Sequence, residues 1–420
     1  MPLSTPSGAL DADDLYANAR SYARTAAGGT YGVFLDGTSD LDAGEDEAWV
    51  YGLRSVAGVA RSNLAVTHVP GRGSDPATFE IQAYDASGAA APTPLVRTLA
   101  PGEWFQWNGI LGQAGLPDGS FGYARVRRIA GSGAFIAYGV VNDAATSDGS
   151  VLPMFRPGGR AAARRLVVPV VVDTYGEAGS HFTTELTLAN DGILTTPVDL
   201  VYRPAPGFGS ATGAPVVTLS LAARQQTTIP DAIQYLRDHG VSIPDPATGG
   251  PQAGTLAVTF RNLQSLDPPR TVALARTSTP NPDAAIGGTF GVSYPAIPSG
   301  GGARTSAVVP GLTQDATVRS NRAVVHTAGG SGGPIGLEVR LYDAGTGTPA
   351  GNPLAVTLNA GDWFQWTRIL EKAGAAPGTT RAWARVTRTS GDDTFLAYGV
   401  LNDAATSDGS VLAMIPAEEE

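Results

Sequence analysis

The sequence predicts an all-β protein made of tandem antiparallel β-sandwich modules, each with one short helix. The first observation is an internal repeat, because residues 138–154 and 398–414 are identical at 15 of 17 positions. The second is a series of short apolar runs separated by turn formers, which include 54 glycines and 31 prolines, as expected of short strands joined by turns. The third is the alternation of apolar and polar residues, clearest in residues 182–190, which is typical of a half-buried strand.

Composition limits the number of domains and the class of partner. At 420 residues the chain is long enough for about three domains of ordinary size. The net charge of −10 makes nucleic acid and anionic membranes unfavourable partners. The lack of cysteine excludes disulfides, thiolate metal sites and cysteine nucleophiles. We expect no membrane span, because no apolar stretch reaches the ~18 residues that a span requires.

Two outer modules are predicted, over residues 47–155 and 305–416. Besides the nearly identical segment, they share a Trp-Phe-Gln-Trp run at 104–107 and 363–366. A more distant copy is predicted between them, over residues 166–298. It opens with Val-Val-Pro, as the last module does. Repetition over such lengths indicates that each copy folds as a unit.

Each module is predicted to contain a short helix, near residues 108–114, 230–238 and 367–373. The middle helix has the clearest start, because Pro230 lies in its first turn, where a missing N–H costs nothing.

Residues 1–46 are interpreted as the closing strands of an incomplete module, followed by a linker. A Gly-Gly-Thr-Tyr-Gly-Val run at 28–33 matches Gly-Gly-Thr-Phe-Gly-Val at 287–292, which closes the middle module. We therefore predict a β-hairpin over residues 15–37 that pairs with a neighbouring sheet edge. Two explanations stay open: a cut inside a longer array, or a hairpin donated to another subunit, since an unpaired edge is a template for pairing. The complete look of the three later modules counts against donation.

A repeated polar loop near the end of each outer module is the first candidate site. It contains Asp143 and Asp148 in the first copy, and Asp403 and Asp408 in the second. Oxygen ligands at this spacing could hold Ca²⁺, the one cofactor considered, although the EF-hand pattern is absent. Asn, Asp, Ser and Thr also close turns by bonding their own backbone, and we favour that interpretation. We expect the four aspartates to accept backbone N–H bonds, with about 1 kcal/mol of stability lost when Asp148 or Asp408 is removed.

The aromatic run is the second candidate site. Alternation places Trp104 with Gln106 on one face of its strand, and Trp363 with Gln365 on the same face of the other copy. The middle module has glutamine in place of this tryptophan, so we predict that Trp104 and Trp363 are partly exposed. They could stack on sugar rings or anchor a partner protein, or they could cover the short helix or the adjoining module.

An active site is not predicted. No nucleophile elbow, HExxH motif or P-loop is found. Only the middle module has unique candidates, and these show no recognisable spacing: His181, Glu185, Asp231 and His239.

The Val-Val-Pro opening, the strand at 182–190, the short helix and the closing Gly-Gly-Thr-Phe-Gly strand resemble the tandem immunoglobulin-like modules of bacterial secreted and cell-surface proteins. The resemblance implies a stalk, spacer, adhesive unit or appendage of an exported enzyme. We therefore expect a non-enzymatic structural or adhesive protein, extracellular or at the cell surface. Residues 1–20 show no signal peptide.

The partners expected from this resemblance are other proteins or surface glycans, with possible self-association through sheet edges. The main alternative is an array of carbohydrate-binding modules that uses the two tryptophans. Fold analogy alone does not decide between these functions.

Overall fold

The structure, a computed structural model, describes residues 4–5, 8–9, 17–25, 28–37, 42–156, 163–176, 179–208, 215–261, 271–328 and 332–417. Of these residues, 57% lie in strands and 6% in helices. The strand pairings are antiparallel. The all-β prediction is confirmed. No helix in these ranges is long and apolar enough to cross a membrane.

Two small hairpins come first in the chain. Strand β1 (Ser4–Thr5) pairs with β2 (Gly8–Ala9), and β3 (Asn18–Arg24) pairs with β4 (Thr30–Asp36). The β3–β4 hairpin is named hairpin 1, and it confirms the predicted β-hairpin. Residues 15 and 16 of that prediction lie outside the described residues. The predicted pairing with a neighbouring sheet edge is wrong within these ranges, because β3 and β4 form a sheet of two strands. Hairpin 1 instead bonds the side chains of a loop, mainly through its own backbone.

The first module contains eight strands and one helix in the continuous range 42–156. They are β5 (Glu47–Val56), β6 (Ala60–His68), β7 (Ala77–Asp85), β8 (Leu95–Leu99), β9 (Trp104–Trp107), α1 (Ile110–Gln113), β10 (Ser120–Ala130), β11 (Phe135–Asp143) and β12 (Gly149–Phe155). Hydrogen bonds link the strands in the order β8-β7-β10-β5-β12-β11-β6-β9. Side chains from both ends of this path meet in one core, where the rings of Phe79 and Phe135 lie 5.2 Å apart.

The middle module follows. Its elements are β13 (Arg165–Tyr175), β14 (His181–Asn190), β15 (Thr196–Pro204), β16 (Val217–Leu221), β17 (Gln226–Ile229), α2 (Ala232–Asp238), α3 (Pro246–Gly249), β18 (Gln252–Phe260), β19 (Thr271–Pro280), β20 (Thr289–Pro295) and β21 (Ile297–Pro298). The main strand order is β16-β15-β18-β13-β14-β19-β20, with β17 on β14 and β21 on β13. Strands β19 and β20 form hairpin 2, the counterpart of hairpin 1.

The last module repeats the first. Its elements are β22 (Ser306–Thr313), β23 (Val318–His326), β24 (Ile335–Asp343), β25 (Leu354–Leu358), β26 (Trp363–Trp366), α4 (Ile369–Lys372), β27 (Arg381–Ser390), β28 (Phe395–Asp403), β29 (Gly409–Ala413) and β30 (Ile415–Ala417). They form one sheet in the order β25-β24-β27-β22-β30 and another in the order β26-β23-β28-β29.

The three predicted helices are present. In α2 the carboxylate of Asp231 accepts the backbone N–H of Gln234 at 2.9 Å, which satisfies one of the free donors of a helix N-terminus. Helix α3 was not predicted, because its four residues carry no apolar periodicity. Asp245 caps it by accepting the N–H of Ala247.

The middle module packs against both outer modules. On one side, Ala189 and Val272 cover an aromatic cluster of the first module, formed by Trp49, Tyr51, Tyr84 and Tyr123. On the other side, Trp363 and Tyr398 of the last module belong to the apolar core of the middle module. The three modules therefore form one packed body.

Candidate functional site

The two repeated motifs of the sequence meet in space. The loop at 143–150, named loop 1, contacts hairpin 2. The Asp143 carboxylate accepts the backbone N–H of Thr289 at 2.9 Å and its hydroxyl at 3.1 Å. The Asp148 carboxylate accepts the N–H of Gly291 at 2.9 Å. In return, the Thr146 hydroxyl donates to the Thr289 carbonyl at 3.0 Å.

The same contact is made a second time, between hairpin 1 and the loop at 403–410, named loop 2. The Asp403 carboxylate accepts the backbone N–H and the hydroxyl of Thr30, both at 2.8 Å. The Asp408 carboxylate accepts the N–H of Gly32 at 3.1 Å, and the Thr406 hydroxyl donates to the Thr30 carbonyl at 2.9 Å.

Glycine is required where each hairpin meets its loop. A Cβ built on Gly288 would lie 2.3 Å from an oxygen of Asp143, and one built on Gly29 would lie 2.9 Å from an oxygen of Asp403. Gly288 also has a φ of +77°, which side chains rarely adopt. The Gly-Gly-Thr motif is therefore the shape needed to bring a strand onto the loop carboxylate.

The hairpins are exchanged between the two halves of the chain. Hairpin 1 precedes the first module but binds loop 2, whereas hairpin 2 precedes the last module but binds loop 1. The two contacts are related by an approximate two-fold axis, since the equivalent residues Tyr31 and Phe290 touch each other with ring centroids 6.0 Å apart. Each hairpin also packs against the closing strand of the module that follows it, so both hairpins bridge the first and last modules.

Asp143 and Asp403, named the outer pair, are stabilised in the charged form. Burial alone would raise the pKa of Asp143, but the N–H groups of Thr146, Thr289 and Ala145 outweigh it and hold that pKa below its ordinary value. The pKa of Asp403 is lowered in the same way. A carboxylate that accepts several backbone N–H bonds favours its ionised state. The expected bonding to backbone amides is confirmed for all four aspartates, but partly with hairpins from elsewhere in the chain.

Asp148 and Asp408, named the inner pair, favour the neutral form. Burial raises the pKa of Asp148 to about 7, against bonds from Gly291 and the charge of Arg276. Burial and then the charge of Asp148 raise the pKa of Asp408 to about 8. One oxygen of each carboxylate is buried without a hydrogen-bond partner in the described part of the chain. Arg20 approaches Asp408 at 3.7 Å.

The inner pair makes stability pH-dependent. Both folded pKa values lie above the ordinary 3.8, so the folded chain binds more protons between about pH 4 and 8, and stability falls as pH rises through that window. We expect the double substitution Asp148→Asn, Asp408→Asn to raise the free energy of unfolding at pH 8 by about 2 kcal/mol and to flatten its pH profile. This reverses the loss expected from sequence.

Chemical denaturation at half-unit steps from pH 4.5 to 9 measures the profile. Asp143→Asn, Asp403→Asn is the matched control, because those carboxylates favour the charged form and should lose stability at pH 8. An unchanged slope in the inner double variant would contradict the prediction.

The calcium hypothesis stays a prediction. In the ranges that the structure describes, no group of three or more His, Cys, Asp or Glu side chains is placed to hold a metal ion. The four aspartates are shared between two separate hairpin contacts. A melting temperature that rises by many degrees with millimolar Ca²⁺ and falls with chelator would establish a metal site.

The two tryptophans have different surroundings. Trp104 is 50% exposed, as predicted, whereas Trp363 is 3% exposed, so the predicted exposure of Trp363 is wrong. Both indoles donate to the equivalent tyrosine, Trp104 to Tyr138 at 3.1 Å and Trp363 to Tyr398 at 2.8 Å. The difference arises because the middle module covers only the second copy, where Phe208 meets Trp363 edge-on at 5.4 Å. Gln106 bonds Asn108.

A cavity of about 490 Å³ lies between the middle and last modules. Its walls include Trp363, Tyr294 and Tyr398, with Gln365 and Asn321 as polar groups. Mostly apolar walls with a few polar groups are typical of small-molecule sites. Trp363 and Gln365 are thus together in a cleft, while Trp104 and Gln106 lie on an open face.

The four candidates of the middle module serve separate contacts. His181 bonds Asp173 at 2.7 Å, and Asp173 also holds Arg237 at 2.5 Å. Glu185 pairs with Arg54 of the first module. Asp231 caps helix α2, and the ring of His239 lies 4.1 Å from that of Tyr235.

Sequence reasoning missed the partners of the loop aspartates, Thr30 and Thr289. A signal was present, because both the Gly-Gly-Thr motif and the Asp-rich loop occur twice at almost the same spacing. Two motifs that recur together are candidates for mutual contact.

The comparisons with known proteins add little. No family model matches the chain, and no curated protein matches it. A solved structure of a GH78 family rhamnosidase from Bacillus sp. GL1 is similar at 10% identity, with a TM-score of 0.14. The match covers 87% of this chain and 54% of that one, so the chain spans about half its length. That TM-score is too low to inform function.

Proposed function

We propose that this protein is a non-enzymatic structural or adhesive component of an extracellular or cell-surface assembly. The observation that carries the proposal is the use of all four loop aspartates to hold modules together. The repeated aspartate loop, the first candidate site of the sequence, thus serves to bind the hairpins. Rigid coupling of modules suits a spacer, whereas independent modules would move relative to one another.

The modules themselves are proposed to be immunoglobulin-like. Antiparallel sheets with a short helix after the aromatic strand support this assignment. The resemblance to tandem modules of bacterial secreted and cell-surface proteins then supports the proposed location.

The adhesive part of the proposal rests on the open face of the first module. Trp104 is half exposed on this face. Exposed tryptophan is enriched among residues that dominate binding energy, and it stacks well on sugar rings and apolar protein surfaces. Of the two equivalent tryptophan faces expected from the repeat, that of Trp104 is open and that of Trp363 is covered.

A surface-binding screen tests this proposal. Wild type is compared with Trp104→Ala on glycan arrays and immobilised cell-surface proteins, with Ile129→Ala as the control, since Ile129 is exposed in the same module. We expect Trp104→Ala to weaken binding at least tenfold, the scale of a lost hot spot, and Ile129→Ala to leave it unchanged. Equal binding by all three would remove the adhesive role. Turnover of any polysaccharide or peptide by pure protein would overturn the non-enzymatic assignment.

A second candidate, a carbohydrate-binding protein or non-catalytic appendage of a secreted enzyme, is favoured by the cavity beside Trp363. It predicts one ligand per chain. Quenching of tryptophan fluorescence by a soluble oligosaccharide, lost in Gln365→Ala and retained in Gln106→Ala, would support it over the spacer.

A further inference from the structure

The strands within the two hairpins pair in the same register, but the hairpins differ in what lies along their outer edges. Arg20 lies opposite Phe34 in hairpin 1, as Arg276 lies opposite Ser293 in hairpin 2. The outer edge of β19 pairs with β14, where Arg276 faces Glu185. The outer edge of β3 pairs with no strand in the described part of the chain, and six of its seven residues are exposed.

Hairpin 1 sits on the first module as hairpin 2 sits on the last. A Cβ built on Gly149 would lie 2.6 Å from Val33, and one on Gly409 would lie 3.1 Å from the equivalent Val292. By this equivalence, the edge of β3 takes the place on the first module that the edge of β19 takes on the last, on the side that carries Trp104 in one and Trp363 in the other. In the last module that place is filled by the middle module, with Phe182 of β14 lining the same cleft as Trp363.

A surface of the last module faces the edge of β3 and the Trp104 face. The rings of Tyr342 and Trp383 stack 4.2 Å apart, and both residues are half-buried. Their counterparts in the first module, Tyr84 and Tyr123, are buried beneath Ala189 at the far end of β14. By the approximate two-fold axis, three surfaces border one site: the edge of β3, the Trp104 face and the Tyr342–Trp383 pair.

We propose that this site accepts an extended β-strand from a partner polypeptide. The strand adds to β3 as β14 adds to β19, so backbone hydrogen bonds supply affinity and alternate side chains supply specificity. The register of β14 on β19 indicates which residues the partner strand should have. Polar and apolar residues alternate along it, and an acidic residue lies opposite Arg20, as Glu185 lies opposite Arg276. The occupant is a strand-donating protein segment, and the established β14–β19 pairing is its template.

The probe is a labelled peptide with the sequence of residues 180–191, which contains β14. We expect saturable binding to the intact chain and slower amide exchange at residues 18–24. Trp104→Ala should weaken binding at least tenfold, because the peptide covers that indole. Tyr22→Pro should abolish it, since proline removes a backbone donor and is excluded from paired strands. A peptide with Glu185→Arg places a cation against Arg20 and should bind at least tenfold more weakly.

If Tyr22→Pro disrupts the hairpin, amide hydrogen exchange in the wild-type chain still tests the proposal, because it needs no substitution. Binding of the peptide without slower exchange in residues 18–24 would overturn the proposal, as would absence of binding. The result is also separable from the adhesive role, because glycan binding through Trp104 does not need the edge of β3.

Discussion

Arg322→Leu is expected to stabilise the last module by about 3 to 5 kcal/mol at pH 7, the scale of a buried unpaired charge. Arg322 is 0% exposed, and its Nε and Nη2 atoms have no hydrogen-bond partner in the described part of the chain. Among the described residues, its Nη1 donates one hydrogen bond, of 3.4 Å, to the carbonyl of Ala323. The first module has Leu64 at the equivalent place, also fully buried.

The equivalence of the two positions is fixed by strand register. Leu64 lies opposite Trp107 and Gly139, and Arg322 lies opposite Trp366 and Gly399. Burial lowers the pKa of Arg322 to about 9. A base with a depressed pKa in the folded state destabilises at all pH values below that pKa, and the penalty lifts only as pH rises past 9. The full penalty is therefore present at neutral pH.

Guanidinium denaturation of wild type and Arg322→Leu measures the gain. Leu64→Arg is the matched control and should lose a similar amount in the first module. A loss of stability in Arg322→Leu would contradict the prediction and show that the guanidinium has a partner in solution.

Trp363→Ala is expected to lower the free energy of unfolding by about 3 to 5 kcal/mol, as for other buried aromatic side chains. The substitution removes the edge-on contact with Phe208 and leaves the Tyr398 hydroxyl without its indole donor. Trp104→Ala is the matched control, and we expect it to cost no more than about 1 kcal/mol, because half of its surface is already in water.

Thermal and chemical unfolding of the two variants check this difference. Equal losses would mean that the middle and last modules separate in solution, so that both tryptophans have the same surroundings. A smaller loss for Trp363→Ala would contradict the burial of its indole between the middle and last modules.

Local structure could be predicted from this sequence because local rules govern it. Alternation in residues 182–190 predicted β14, and Pro230 predicted a helix start close by, although helix α2 begins at Ala232, after its cap Asp231. The turn-forming character of the loop aspartates was also predictable, since Asp143 does bond the N–H groups of Ala145 and Thr146. These contacts span only a few residues of chain.

The environment of each module could not be predicted, because it depends on which neighbour covers which face. Trp104 and Trp363 stand in identical runs of four residues, yet one is exposed and the other is buried. Likewise, Asp148 has the sequence context of an exposed turn, yet it is fully buried where loop 1 meets hairpin 2. A repeat defines equivalent positions within modules, but contacts between modules need not be equivalent.

The exchange of hairpins has a consequence for the order in which the chain folds during synthesis. Thr30 bonds Asp403 across 373 residues of sequence, whereas Thr289 bonds Asp143 across 146. Loop 1 can therefore receive its hairpin while the ribosome is still making the last module, but hairpin 1 must wait until loop 2, 373 residues later, has emerged. Contacts between such distant segments form slowly because closing a long loop costs entropy first. Completion of loop 2 should thus come after completion of loop 1, and until then the exposed hairpin 1 can be captured by loop 2 of another chain.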